Sequence, residues 1–298
     1  MLKERLSAYI TNSPRTKAAI AKDIGISASA LTNYLQDKYQ AKDLSGIEGK
    51  IETFLNKVSD REQLPAPVEI GFVNIESSGN IFNVADYCRL KRRIGVVVGE
   101  AGVGKTTAIR EYGRKHNDTL IIYAHRSMTQ KALFKAIAQQ IGEDDRGLTC
   151  DIFARVSQRL GDRLLIIDEA EHLSIPMLDE LRRLNDPEFG SSGLLLVGLP
   201  RFVELIRSRQ HDYAYLRNRI NQSVIVTNMC LDDTSAIVKK AFPDLASAEV
   251  CKCFHKFSGG NPRRLTKLID ATYSVAQVNS ISAINELLIE SAADLVEF

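Results

Sequence analysis

The stretch GEAGVGKTT, Gly99 to Thr107, follows directly on the apolar run IGVVV and leads into TAIREYGRK. A buried strand, a glycine-rich loop and a helix in that order leave few folds open. Gly99, Gly104, Lys105 and Thr106 fill the pattern G-x-x-x-x-G-K-[ST] completely, and strand before and helix after are the context that gives the pattern meaning. Glycines let the backbone N–H groups of Glu100, Ala101, Gly102, Val103 and Thr107 curl around phosphate oxygens, and the helix N-terminus adds positive potential. Lys105 reaches the β- and γ-phosphates, and the Thr106 hydroxyl is placed to ligate Mg²⁺. The sequence therefore predicts an ATP site.

Such a site needs an acidic partner at the end of another buried strand. LLIIDEAEH supplies it as Asp168, followed at once by Glu169. Asp168 would hold the Mg²⁺ shell with Thr106, and Glu169 would orient and polarise the attacking water, so hydrolysis is predicted with Glu169 and Lys105 as catalytic groups.

Around these motifs the chain alternates. Strands are predicted at Ile94–Val98, Leu120–Ala124, Leu164–Ile167, Leu194–Val197 and Ser223–Thr227, separated by helical stretches such as QKALFKAIAQQI and DIFARVSQRL. That alternation argues for a parallel sheet covered on both faces. Beyond Asn228 only helical patterns follow, including SAEVCKCFHKF and PRRLTKLIDATYSVAQV. The expected organisation is a helical domain over 1–60, a Pro- and Gly-marked linker over 61–80, an α/β core over 81–228 and a helical lid over 229–298.

Composition excludes several classes. Of 298 residues, 44% are apolar and 26% charged, as expected of a globular chain of about two domains. No apolar run approaches the ~20 residues of a membrane span, and the N-terminus lacks the apolar core of a signal peptide; a cytoplasmic protein without membrane contact is expected. The five cysteines are scattered, with Cys251 and Cys253 forming only C-x-C, so neither zinc nor a disulfide framework is predicted. The formal charge is +2, but it is unevenly placed. Lys3, Arg5, Arg15, Lys17, Lys22, Lys38 and Lys42 face Glu4, Asp23 and Asp37 in the first 42 residues, and RFVELIRSRQHDYAYLRNR is also basic. Such patches suit an anionic partner.

TKAAIAKDIGISASALTNYLQDK (16–38) has helix-turn-helix spacing. Ala21 is small where two helices approach, Gly25 sits at the turn where positive φ is easy, and Ser27 would cap the second helix. Ile20, Ile24, Ile26, Leu31 and Tyr34 or Leu35 fall inward. Ser29, Thr32, Asn33, Gln36 and Lys38 fall outward, where they would meet a DNA groove. They include no Arg to read guanine, so contact tolerant of sequence is expected. An ordinary helical hairpin satisfies the same pattern; the local positive charge favours DNA.

GVGKT, IIDEAEHL, the intervening strand and the trailing helices together resemble the AAA+ family, from about Ile81 to Glu290. The resemblance implies an α/β P-loop ATPase core with a parallel sheet and a small C-terminal helical lid, here preceded by the all-α helix-turn-helix domain. It implies an arginine that completes a neighbour's site, for which YLRNRINQSVIV offers Arg217 and Arg219, with Arg219 favoured. It implies a lid arginine that senses the γ-phosphate, matched by Arg263 in GGNPRRL. One departure stands out: LLLVGLP puts Leu199 where the family usually ends its fourth strand in a polar sensor, which suits a slow, switch-like ATPase better than a fast motor.

The order of parts, with QDKY closing the recognition helix and LPAP in the linker, is similar to the phage Mu-type, ATP-dependent activators of target DNA in transposition. That resemblance implies binding to double-stranded DNA with little sequence preference, ATP-dependent self-assembly into a helical filament, and recruitment of a transposase. The family's DNA-facing loop corresponds to HRSMTQK, making Arg126 and Lys131 candidate phosphate contacts. A helicase loader and an ATP-switched transcriptional regulator share many of these features and remain open at this stage.

Overall fold

The computed structural model describes residues 2–296 apart from 14, 37, 39–43, 64–69, 208–213, 244, 245, 280 and 282. LPAP and part of QDKY therefore lie outside the described residues. The chain forms two compact units, Met1–Val68 and Glu69–Phe298.

The first unit holds α1 (Leu2–Asn12), α2 (Lys17–Ile24), α3 (Ala28–Leu35) and α4 (Leu44–Gln63). Thr16 caps α2 by accepting the Ala19 N–H, and Ser27 caps α3 by accepting the Ala30 N–H. Between them Gly25 takes φ 78°, and the Ile26 N–H closes the turn on Ala21 O. Leu6, Ile20, Ala21, Ile24, Leu31, Tyr34, Ile47, Ile51 and Leu55 form the core. The i, i+3, i+4 spacing of these residues turns one face of each helix inward.

In the second unit the sheet is parallel with order β2-β3-β4-β1-β5, the strands being β1 (Ile94–Gly99), β2 (Thr119–Tyr123), β3 (Leu164–Asp168), β4 (Gly193–Gly198) and β5 (Ile220–Val226). Alternate side chains go to opposite faces. Val96, Val98, Leu165, Ile167, Leu194 and Leu196 meet α7 (Gln130–Ile141), α8 (Thr149–Leu160) and α9 (Ile175–Arg183). Val97, Leu164, Ile166, Leu195 and Val197 meet α5 (Glu76–Lys91) and α6 (Lys105–Lys115). Because both faces are covered, the inner strands read as unbroken apolar runs. The Cys88 thiol, buried in α5, is pushed up to about 12 by desolvation and is no nucleophile.

Two boundaries differ from the sequence expectation. Helix α4 runs to Gln63 and α5 begins at Glu76, both inside the stretch 61–80 read as linker. The serine pair that suggested a loop instead starts a helix, with Ser78 Oγ accepting the Ile75 N–H at 2.9 Å. Strand β5 begins at Ile220 rather than Ser223, because Asn221 and Ser223 lie on its exposed face at the sheet edge, where polar residues are tolerated.

After β4 come α10 (Pro200–Arg207) and α11 (Ala214–Arg217). The lid is α12 (Leu231–Ala241), α13 (Ala248–Ser258), α14 (Pro262–Val278) and α15 (Glu286–Asp294). Its core includes Met229, Val238, Phe254, Leu265, Leu268, Ile269 and Ile289, each buried side chain of this size being worth roughly 1.5–3 kcal/mol. Ile70 and Ile75 pack on the same cluster and carry the segment before α5 onto the lid. Among the described residues no helix is long and apolar enough to cross a membrane.

Candidate nucleotide site

The loop from Gly99 to Thr107 leaves the C-terminal end of β1 and enters α6 at Lys105. Val103 anchors it by burial in the α5–α6 face of the core, while Gly102 and Gly104 take φ 85° and 93°. A side chain on Gly102 would be strained by its φ and would also stand 2.8 Å from Asn261 Oδ1. The loop thus runs with left-handed glycines into the N-terminus of α6, the arrangement that receives anions.

Lys105 is buried, and its Nζ donates to Gly99 O at 2.7 Å and Glu100 O at 2.9 Å. Desolvation lowers its pKa, opposed by the charges of Asp168, Glu171 and Glu100. A partly desolvated ammonium among acids interacts strongly with a phosphate because little water competes.

Asp168 ends β3 and is 2% exposed. Its Oδ2 accepts the Thr106 hydroxyl at 2.7 Å, and its Oδ1 accepts the Glu169 N–H at 3.0 Å. The hard oxygens of Thr106 and Asp168 thus sit side by side beside the phosphate loop, the donor chemistry that Mg²⁺ takes. Glu169 follows at φ 55°, a left-handed conformation costing a non-glycine residue about 1–3 kcal/mol. Its carboxylate is 61% exposed and lies 3.7 Å from His172 Nε2. The strained turn points one carboxylate back into the site and the next one out.

A third carboxylate, Glu171, was not singled out from the sequence. Its side chain is 5% exposed, its Oε2 accepts the Leu199 N–H at 3.2 Å, and Oε1 lies 3.8 Å from Arg201 Nη2. A Cβ on Gly198 would stand 2.6 Å from Oε2, so a larger residue there would displace the carboxylate from this position. The position where Leu199 lacks a polar side chain is thereby furnished with charge from β3's side. Its signal was present in DEAEH, where a third acid follows within one turn of the strand end.

Arg263 lies in the first turn of α14, its N–H donates to Gly102 O at 3.2 Å, and its charge acts on Lys105. The structure therefore brings Gly99–Thr107, Asp168 and Arg263 to one place, with Glu169 following Asp168 at its edge and its carboxylate turned outward. Arg217 and Arg219 are not part of it. Arg219 immediately precedes β5, whose Ile220 pairs with Ile94 at the N-terminal end of β1. Strand β1 has six residues, so these arginines sit roughly 20 Å along the sheet from their own phosphate loop. Arg219 Nη1 stands 2.8 Å from Asp186 Oδ1, a charge contact without hydrogen-bond alignment. Arg217 is exposed at the end of α11.

The candidate DNA contacts form two groups. Arg126 and Lys131 are exposed after β2, at the same end of the sheet as Asp168, which pairs with Tyr123. Beside them the Arg110 guanidinium bonds the Tyr123 hydroxyl at 2.9 Å. Ser29, Thr32, Asn33, Gln36 and Lys38 are all exposed on the first unit. Ser29 Oγ lies 3.0 Å from Ser27 Oγ, and the Thr32 hydroxyl donates to Ala28 O.

The AAA domain family matches residues 88–206. A Mu-like prophage DNA transposition protein B of Haemophilus influenzae is 30% identical over 246 residues, covering 79% of this chain and 83% of the relative. The ATP-dependent target DNA activator B of Escherichia phage Mu is 29% identical over 238 residues, covering 78% and 75%. Among solved structures, the ORC2 protein of Aeropyrum pernix is similar with a TM-score of 0.57 at 15% identity, covering 73% of this chain and 66% of that one. The RuvB branch migration motor of Thermotoga maritima is similar with a TM-score of 0.51 at 14% identity, covering 78% and 73%. At that identity the likeness is one of fold.

Proposed function

The chain belongs to the family of Mu-like DNA transposition B proteins, and from that premise we propose that it is an ATP-dependent activator of target DNA whose ATP site controls self-assembly on duplex DNA. The observation that carries this reading is the joint placement of Lys105, Thr106, Asp168 and Glu169 at one end of the sheet in a chain of that family.

ATP binds along Gly99–Thr107, with Lys105 on the terminal phosphates. Thr106 and Asp168 would hold Mg²⁺, which offsets phosphate charge when bound. Glu169 orients the attacking water, and Arg263 reads the γ-phosphate from the lid. Arg219, too far from its own phosphate loop, completes the site of a neighbouring subunit. ATP is thus a bond between subunits, and hydrolysis releases it. Arg126 and Lys131 contact DNA phosphates in the assembly, giving affinity without sequence preference, and the exposed face of α3 adds sequence-tolerant contacts. A transposase is the partner recruited to DNA coated in this way.

The direct experiment is competition. With ATP–Mg²⁺, a labelled duplex of arbitrary sequence is expected to be displaced equally by unrelated duplexes, less well by single strands, and with a steep loss of affinity on raising salt. Preference for forks or single strands would indicate a helicase loader, and preference for one operator a regulator. A mixing test addresses the shared site. Arg219→Ala and Glu169→Gln are each expected to lose turnover, yet their mixture regains a fraction because some interfaces pair an intact Arg219 with an intact Glu169. A mixture as inactive as its components would contradict an arginine supplied in trans.

A further inference from the structure

Asn261, the residue before Pro262, bonds in two directions. Its Oδ1 accepts the backbone N–H groups of Arg263 at 3.0 Å and Arg264 at 3.3 Å, capping α14. Its Nδ2 donates to Ala101 O, in the phosphate loop, at 3.1 Å. Beside it the Arg263 N–H also reaches Gly102 O at 3.2 Å. The amide orientation is the one compatible with both sides, since a flip would set its oxygen against Ala101 O and its NH₂ against two N–H donors. The turn that carries Asn261 is gripped by the segment between β5 and α12 as well: Met229 N–H donates to Gly260 O at 2.8 Å, and Asn228 Nδ2 to Gly259 O at 3.0 Å.

We propose that Asn261 is a positioning residue for nucleotide binding: its amide latches the lid to the phosphate loop and holds Ala101 and Gly102 in the ligand-ready form. The choice of side chain supports this. Asp and Ser cap helices as well as Asn, but Asp would turn an anion toward Ala101 O, and Ser is too short to reach it. Gly102 fits the same account from the other side, because its missing side chain leaves room for the Asn261 amide and for Arg263 Cβ, which a Cβ would meet at 3.0 Å. Without the latch, lid and loop sample other arrangements, and apparent affinity falls in proportion to the competent fraction. The inference rests on the loop being the ATP site, which Lys105→Ala tests separately.

The test titrates a fluorescent ATP analogue with Mg²⁺ into the full-length wild type, Asn261→Asp, Asn261→Ser, Lys105→Ala and Asn285→Asp. Asn285 caps α15 in the same lid, its Oδ1 accepting the Leu288 N–H at 2.9 Å, and serves as the cap control. Asn261→Asp is expected to bind about tenfold more weakly, the loss of a hydrogen bond plus an unfavourable contact. Asn261→Ser is expected to bind about fivefold more weakly and Asn285→Asp within about twofold of wild type. Melting temperatures without nucleotide stay within about 4 °C of wild type. In steady state KM for ATP rises while kcat at saturation holds within about twofold, because bound ATP restores the closed arrangement. Should Asn261→Asp not fold, Asn261→Ser carries the same reading. Wild-type affinity in both Asn261 variants overturns the latch, and so does an equal loss in Asn285→Asp. Binding that survives Lys105→Ala unchanged removes the site itself, a separate result under which the latch also falls.

Discussion

Lys105→Ala is expected to weaken ATP binding by at least about a hundredfold and to leave DNA binding unresponsive to ATP. The ammonium already reaches two carbonyls of the loop and sits partly desolvated beside Asp168. Charge-assisted hydrogen bonds are worth about 1.5–3 kcal/mol each, so losing those to two phosphate oxygens accounts for the factor. The fold should survive, since alanine is a good first residue for α6 and Val103 still anchors the loop. Titration with a fluorescent ATP analogue, alongside the melting temperature without nucleotide, separates loss of binding from loss of structure. Wild-type ATP affinity in a folded variant would contradict the role given to Lys105.

The second large effect is on turnover. Glu169→Gln is expected to lower kcat by about 10²–10⁴, the usual range for a positioned general base, with ATP affinity changed no more than severalfold. The side chain is 61% exposed and its glutamine analogue tolerates the same backbone, so stability should hold. Bound ATP that is not hydrolysed keeps subunits joined, and the variant should remain on DNA long after wild type has left. Stopped-flow dissociation in the presence of ATP checks this; release as fast as wild type would count against Glu169.

Much of this site was legible in the chain because its physics is local. A buried strand, a turn needing positive φ and a helix N-terminus must follow one another for a phosphate loop to form, so GEAGVGKTT declares itself. Asp168 is equally local, as the polar end of an apolar strand. The inner strands were read within about one residue because burial on both faces leaves unbroken apolar runs. What was missed depends on contacts far apart in sequence. Glu171 matters through Leu199 and Gly198, which meet it only when β3 and β4 align. Asn261 looks like an ordinary helix cap until Ala101, 160 positions away, is seen to accept its amide. The start of α5 was hidden because Ser and Gly serve both loops and first turns. Arg219's separation from its own phosphate loop is likewise a fact of strand direction, not of pattern.

The central claim is that ATP gates assembly on DNA, and anisotropy of a labelled duplex of arbitrary sequence tests it most directly. Wild type would be titrated without nucleotide, with ADP–Mg²⁺ and with ATP–Mg²⁺, and the last repeated with a second, unrelated duplex. The account predicts tight, cooperative binding with ATP–Mg²⁺ alone and the same curve for both duplexes. Binding indifferent to nucleotide, or confined to one sequence, would contradict it.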